Sequence, residues 1–315
     1  MKALKNTAHV EGYVYEHKLE TKVTGANSKA PGTEYITGSL SVATDDACLN
    51  VIPIHFTYVT ATTSTGKTNS SFGTLQKFIN GEYATVMGAG KDKAVKVRID
   101  TAIALNEFYT DRNGAEELVS AKRYEGGFIH IVDALNPDEA VRNFFDVDMV
   151  ITSAIRKEAD PEKEQPEKMI LKGAIFGFRK DLLPVEFTVT HPGAMDYFED
   201  LQPSNKTPVF TWIKGKQISE TVVKRIEEKS AFGDTFVREI PSVRKDYVIT
   251  WASENTYEWD TEGTMTVEEL NKAITDRELY LATLKKRNDE YKASKAAGTA
   301  APAAAPTPAN SAFNF

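Results

Sequence analysis

One order of elements is legible twice along this chain: three strands, a short helix, then two strands. It constrains the fold more than any single motif does. In the first copy, Val10-Glu11-Gly12-Tyr13-Val14-Tyr15 alternates, with Val10, Gly12 and Val14 on one face and Tyr13, Tyr15 and His17 on the other. A loop rich in Gly, Asn, Ser and Pro (residues 24–33) precedes YITGSLSV, whose Ile36, Leu40 and Val42 face inward. Asp45-Asp46 turns the chain into LNVIPIHFTYVT. Pro53 lacks an N–H, so this strand is expected at an edge or with a bulge. Polar residues 61–73 delay a short helix over TLQKFING, closed by Gly81. AVKVRI and GGFIHIV complete the set before a turn at Asn136-Pro137.

Residues 145–252 repeat the order. A strand opening at Asp146 breaks at the charged loop EADPEKEQPEK, and MILKGAIFGF then matches YITGSLSV, with Gly173 in the place of Gly38. LLPVEFTVT parallels the proline-bearing third strand, Pro184 matching Pro53. GAMDYFEDL supplies the helix, and PVFTWIKG and DYVITWA the last two strands. An internal repeat changes the whole fold assignment. Three strands, a helix and two strands is the element order of an OB-fold, a five-stranded Greek-key barrel. The expected class is therefore mainly β (α+β), with two tandem OB-like five-stranded barrels over residues 1–135 and 136–252. Residues 253–295 read as an acidic, aromatic spacer and a long helix. Thr266 stands at capping-box spacing from Glu269, and Leu270, Ile274, Leu281, Leu284 and Tyr291 leave a narrow apolar stripe. Residues 296–315 form an Ala/Pro-rich, disordered tail tipped by Phe313 and Phe315.

Composition removes several classes. The net charge is −7, spread as −1, −3 and −3 over residues 1–135, 136–252 and 253–315. That argues mildly against a strongly basic nucleic-acid domain, and leaves the nearly neutral first segment as the place for a basic groove. No apolar run approaches the roughly 18–20 residues of a membrane span, and the start MKALKNTAHVEGYVYE shows no apolar secretory core. A single cysteine, Cys48, excludes an intrachain disulfide and a Cys-rich zinc site and fits a reducing cytoplasm, the host's if the chain is viral.

Catalytic chemistry is poorly supplied. Ala61-Thr62-Thr63-Ser64-Thr65-Gly66-Lys67-Thr68 meets a relaxed phosphate-loop pattern, but no alternating β-α pattern backs it, and a polar hairpin loop with one exposed lysine is the better reading. His9, His17, His55, His130 and His191 lack metal-ligand spacing, so neither a metal nor a cofactor is expected. The expectation is a binding protein, not an enzyme. Single strands are held by rings that stack on bases and by cations that follow the backbone. Tyr13, Tyr15 and Tyr35 are expected to face outward on the first two strands, and Lys96 and Arg98 outward on the fourth. Phe108, Tyr109, Arg112, Lys122, Arg123 and Tyr124 flank a hairpin-like segment where OB barrels carry a binding loop, and the loop around Lys67 is placed to clamp a strand.

With EGYVYEHKLE…EYITGSLSVATDD, the element order and the Phe-ended tail together, the chain resembles the single-stranded-DNA-binding proteins of bacteriophages. The resemblance implies single-stranded DNA as ligand, a role in replication or recombination, and a tail that recruits partner proteins through Phe315, with Phe313 an extra contact. The tip SAFNF departs from the family's acidic tail, and the second barrel and long helix are additions. The competing expectation is a structural or assembly protein of a virion or scaffold. A third is a nucleotide hydrolase acting through Lys67.

Overall fold

The alternating segments become strands because only a pleated chain puts Val10 and Val14, or Ile52, Ile54 and Phe56, on one buried face. The computed structural model describes residues 4–26, 28–63, 65–112, 114–160, 165–228, 232, 236–261 and 264–296. The tail expectation, Phe313 and Phe315 included, lies outside the described residues.

The protein is mainly β, with one large sheet and a long C-terminal helix. Its first strands are β1 (Asn6–His17), β2 (Glu20–Val23), β3 (Glu34–Ala43), β4 (Val51–Thr60), β5 (Lys96–Arg112) and β6 (Ala115–Ile131). β1 pairs with β3 and with β5, β3 with β4, and β5 with β6. β4 runs parallel to β6 at Ile54↔Tyr124 and His55↔Glu125, which closes the ring in the OB order. β7 (Asn143–Lys157), β8 (Lys168–Phe176), β9 (Leu182–Val189), β10 (Val209–Glu228) and β11 (Phe236–Ala252) close a second ring identically. β7 pairs with β8 and β10, β8 with β9, β10 with β11, and β9 runs parallel to β11.

Each ring bends its first strand through a register shift, at Val14/Glu16 in β1 and at Ile151/Ser153 in β7. Such a bulge lets one strand serve two sides of a barrel. The two matched glycines explain themselves by backbone approach. A Cβ on Gly38 would sit 2.0 Å from the Lys18 carbonyl oxygen, and one on Gly173 would sit 2.0 Å from that of Val150. Pro53 fits because β6 pairs with β4 only after it, at Ile54 and His55.

The rings join through their first strands. β1 and β7 pair antiparallel as Asn6↔Val147, Ala8↔Phe145 and Val10↔Asn143, so a local two-fold passes through Ala8↔Phe145. Asn6 and Asn143 occupy equivalent places and do equivalent work. The Asn6 Nδ2 donates to the Ile103 carbonyl at 2.9 Å, and the Asn143 Nδ2 to the Gln217 carbonyl at 2.6 Å. Buried side chains of both rings form one continuous core. At its centre Phe145 stacks on Phe187 at 5.0 Å, and Tyr124 meets Tyr247 edge-on at 5.7 Å.

The helices are α1 (Ser70–Ile79), α2 (Val86–Ala89), α3 (Pro192–Asp200) and α4 (Val267–Ala296). α1 starts earlier than residues 61–73 led one to expect, because Asn69 caps it by accepting from the Ser71 amide at 3.1 Å. Phe72, Leu75 and Phe78 then bury its inner face. The α4 cap is the reciprocal box read from the sequence: Glu269 N–H donates to Thr266 Oγ1 and Thr266 N–H to Glu269 Oε2, both at 3.1 Å.

The expected apolar stripe of α4 requires correction. Leu270 and Ala273 are buried with Phe176, Leu182 and Phe210 of the second ring, but Ile274 and Tyr291 are exposed. Farther along, the helix is held to the β5–β6 hairpin by polar contacts. Arg277 forks onto Glu107, one arm at 2.6 Å, and Lys292 reaches Asp111 and Glu116, each at 2.8 Å. The stretch before it is no free spacer either, since Tyr257 and Trp259 pack on Phe210.

Candidate nucleic-acid interface

β5 and β6 are far longer than the strands AVKVRI and GGFIHIV suggested, and they extend as one hairpin to Arg112↔Ala115. At about 3.3 Å per residue, Lys96 and Arg112 stand roughly 50 Å apart along β5. The residues singled out from sequence therefore fall into separate groups.

The first group gathers where β5 begins. Tyr13 lies opposite Lys96 in the β1–β5 pairing, and the Lys91 amine stands 4.9 Å from the Tyr13 ring centre. Lys96 donates to the Asp133 carbonyl at 3.0 Å, and Arg98 is exposed beside Asp100. Tyr15 is half-buried on the same strand as Tyr13. The Lys67 loop stands apart from this group: it leaves the far end of β4, beyond Thr60, whereas Tyr13 lies opposite Ala43, beside the start of that strand. Thr62 and Thr68 bridge across that loop, and the Thr63 and Gly66 amides donate to the Lys67 and Thr63 carbonyls at 2.7 and 2.9 Å. A phosphate cradle needs such amides turned toward the ligand. The loop is a polar hairpin carrying an exposed Lys67.

The second group lies at the hairpin's far end. Phe108 and Arg112 are exposed on one face, while Glu107, Tyr109 and Asp111 alternate onto the face that meets α4. The Lys285 amine stands 5.6 Å from the Tyr109 ring centre. Tyr109 also lines an open cleft with Tyr291, Lys292 and Lys295 of α4.

Four expected contacts are corrected. Tyr35 does not face outward: it is buried, its ring meeting that of Tyr58 at a tilt, 4.7 Å between centres. Tyr124 is wholly buried where the two rings meet, because it pairs with Ile103 on the inward face of the hairpin. Lys122 points into the same seam, its amine 5.1 Å from the Phe187 ring centre and 5.0 Å from that of Tyr247, and it donates to the Glu186 carbonyl. Burial pulls its pKa down to about 8, opposed by Asp246 and Glu186. Arg123 is spent on an ion pair with buried Glu125 at 2.6 Å. None of these side chains presents a face or a cation to a strand.

The structure adds a cluster that sequence reading passed over. On the outer face of the second ring Trp212 and Trp251 meet at 4.8 Å, with the Lys5 amine 3.3 Å over Trp212 and Lys214 between the rings. Asp146 and Asp148 lie beside them, Asp146 accepting from the Trp212 indole, so the charges there are balanced. Alternation in PVFTWIKG was the available signal for Trp212, which it puts opposite the buried Ile213, whereas Trp251 joins it through the register shift between Lys214 and Gly215, which alternation in DYVITWA does not report.

Among the described residues no group of three or more His, Cys, Asp or Glu is placed to hold a metal ion. Among them, too, no helix is long and apolar enough to cross a membrane. The arrangement offers stacking surfaces and cations, spread along an elongated barrel edge.

A family model described as YorF matches residues 5–287. No curated protein matches the chain. Among solved structures, the wild-type single-stranded DNA binding protein from Thermus aquaticus matches with a TM-score of 0.46 at 9% identity, over 81% of this chain and 95% of that one. A deletion mutant of the same protein matches with a TM-score of 0.45 at 8% identity, over 83% of this chain and 100% of that one.

Proposed function

The chain belongs to the YorF family, and we propose that it is a single-stranded-DNA-binding protein of phage-type replication or recombination that acts by stoichiometric binding and not by catalysis. One observation carries the reading. The first ring closes in OB order and projects a long hairpin whose rings and cations, Phe108, Tyr109 and Arg112, stand clear of the barrel. The Tyr13, Tyr15, Lys96 and Arg98 group at the other end gives a strand a second place to lie, and exposed Lys67 adds a cation on the loop beyond β4. Ten residues of strand, roughly 33 Å, separate Arg98 of one group from Phe108 of the other, which suits a ligand that tracks a surface and not a compact metabolite. Stacking is worth about 1–3 kcal/mol per base, so a few rings suffice on a chain of net negative charge.

Phosphate contacts make such binding salt-dependent, and stacking makes it tolerant of sequence. A labelled poly-dT oligonucleotide should shift at low salt and shift less at high salt. Indifference to single strands at low salt would sink the proposal. Recruitment of replication or recombination proteins by Phe315 and Phe313 belongs to the same proposal. Its test is a chain cut after Ala296, where α4 ends, which should keep DNA binding and lose partner capture.

A further inference from the structure

The strand-binding reading leaves α4 without a role, yet the helix forms one wall of the cleft at the hairpin end. The cleft has a volume of about 470 Å³, within the range of small-ligand sites, and it is open along one side. Tyr109 stands on the hairpin wall and Tyr291 on the helix wall, with Asp111, Asn288, Lys292 and Lys295 completing it.

Charge decides what this cleft can accept. The hairpin alone would present Asp111 and Glu116 and repel a phosphate. α4 neutralises both: Lys292 lies 2.8 Å from each, Lys285 pairs with Glu116, and the Asn288 amide donates to Glu116 at 2.6 Å. These lysines hold the Glu116 carboxyl below its ordinary range. Lys285 also pairs with Asp289 at 2.6 Å, so three carboxylates share Lys285 and Lys292, and exposed Lys295 brings the cleft to charge balance. Tyr291 is 49% exposed, so its ring is open to a flat partner.

We propose that this cleft is a nucleotide subsite of the single-strand path. A base stacks against Tyr291 with Tyr109 on the opposite wall, and a backbone phosphate lies near Lys295. The inference rests on the single-strand reading and adds that α4, outside both rings, is part of the binding surface.

The test uses the full chain and a fluorescein-labelled dT oligonucleotide followed by anisotropy. Tyr291→Ala should weaken binding about tenfold, while Tyr291→Phe, which keeps the ring, should stay within about twofold. Lys295→Ala should weaken binding about threefold at low salt and flatten the salt dependence. Helix content by circular dichroism should match wild type in all three, since both side chains are exposed. Wild-type binding with unchanged affinity in Tyr291→Ala and Lys295→Ala would overturn the cleft alone. A wild-type chain that leaves the anisotropy unchanged would overturn the single-strand reading, and the cleft with it.

Discussion

At the scale of single residues, Asn6 and Asn143 replace the same ladder contact in the two rings. The Asn143 side chain is buried and its amide reaches the Gln217 carbonyl at 2.6 Å, so Asn143→Ala leaves that acceptor only the longer 3.4 Å bond from Asn50 Nδ2. The expected cost is about 1–3 kcal/mol, read from the urea midpoint. Asn6→Ala should cost a similar amount, because Asn6 also accepts from the Ile103 amide at 3.0 Å. An unchanged midpoint in both variants would contradict the bridging role of these side chains. His55 gives a pH dependence. Burial first, then Arg123 and Lys245, lower its pKa to about 4. A proton is then bound more readily by the unfolded chain, whose imidazole titrates near about 6.5. The neutral ring's contribution is therefore whole above about pH 6.5 and is lost as pH falls toward 4, by roughly 1–3 kcal/mol once partial exposure is discounted. His55→Gln should flatten the pH 7 to pH 4.5 difference in urea midpoint, and an unchanged slope would refute this assignment.

At the scale of elements, α4 is attached by two kinds of contact. Its first turns are hydrophobic against the second ring, and its later turns are ionic against the β5–β6 hairpin of the first. Arg277→Ala leaves Glu107, whose side chain is 2% exposed, as an unpaired buried charge. Breaking such a pair costs about 3–5 kcal/mol. Hydrogen exchange should therefore accelerate in α4 after residue 277 and leave the Leu270 turn protected. Uniform exchange along the helix would count against the two-part attachment. The same helix shows where sequence reading stops. Its cap was legible because Thr266 and Glu269 act within three residues. Its docking was not, because the residues that meet the hairpin change from Leu270 to Arg277 to Lys292, and their acidic partners lie more than 150 positions away. Strand order and the matched glycines were legible for a similar local reason. The length of β5 and β6 was not, since beyond Leu105 the inward face carries Glu107, Tyr109 and Asp111. That is also why Tyr124 and Lys122 were expected to be outside. Their burial is produced by the second ring, which alternation within the first cannot report.

At the scale of the molecule, the two rings share a first-strand pairing and one core, with Phe145, Phe187, Tyr124 and Tyr247 in the seam. Residues 1–135 alone would expose Tyr124 and the open edge of β1. The whole chain should therefore unfold in one transition, with fluorescence and circular dichroism coincident, and a 1–135 fragment should not fold stably. Two resolved transitions would show that the seam is weak. The trajectory from Tyr13 and Lys96 to Phe108 and Arg112 is what makes an elongated ligand the natural one. The most direct measurement is the affinity of the purified full chain for a labelled poly-dT oligonucleotide across a salt series. The account predicts a shift at low salt that weakens steadily as salt rises, with double-stranded DNA of the same length bound less well. No shift at low salt, or equal binding to duplex, would contradict it.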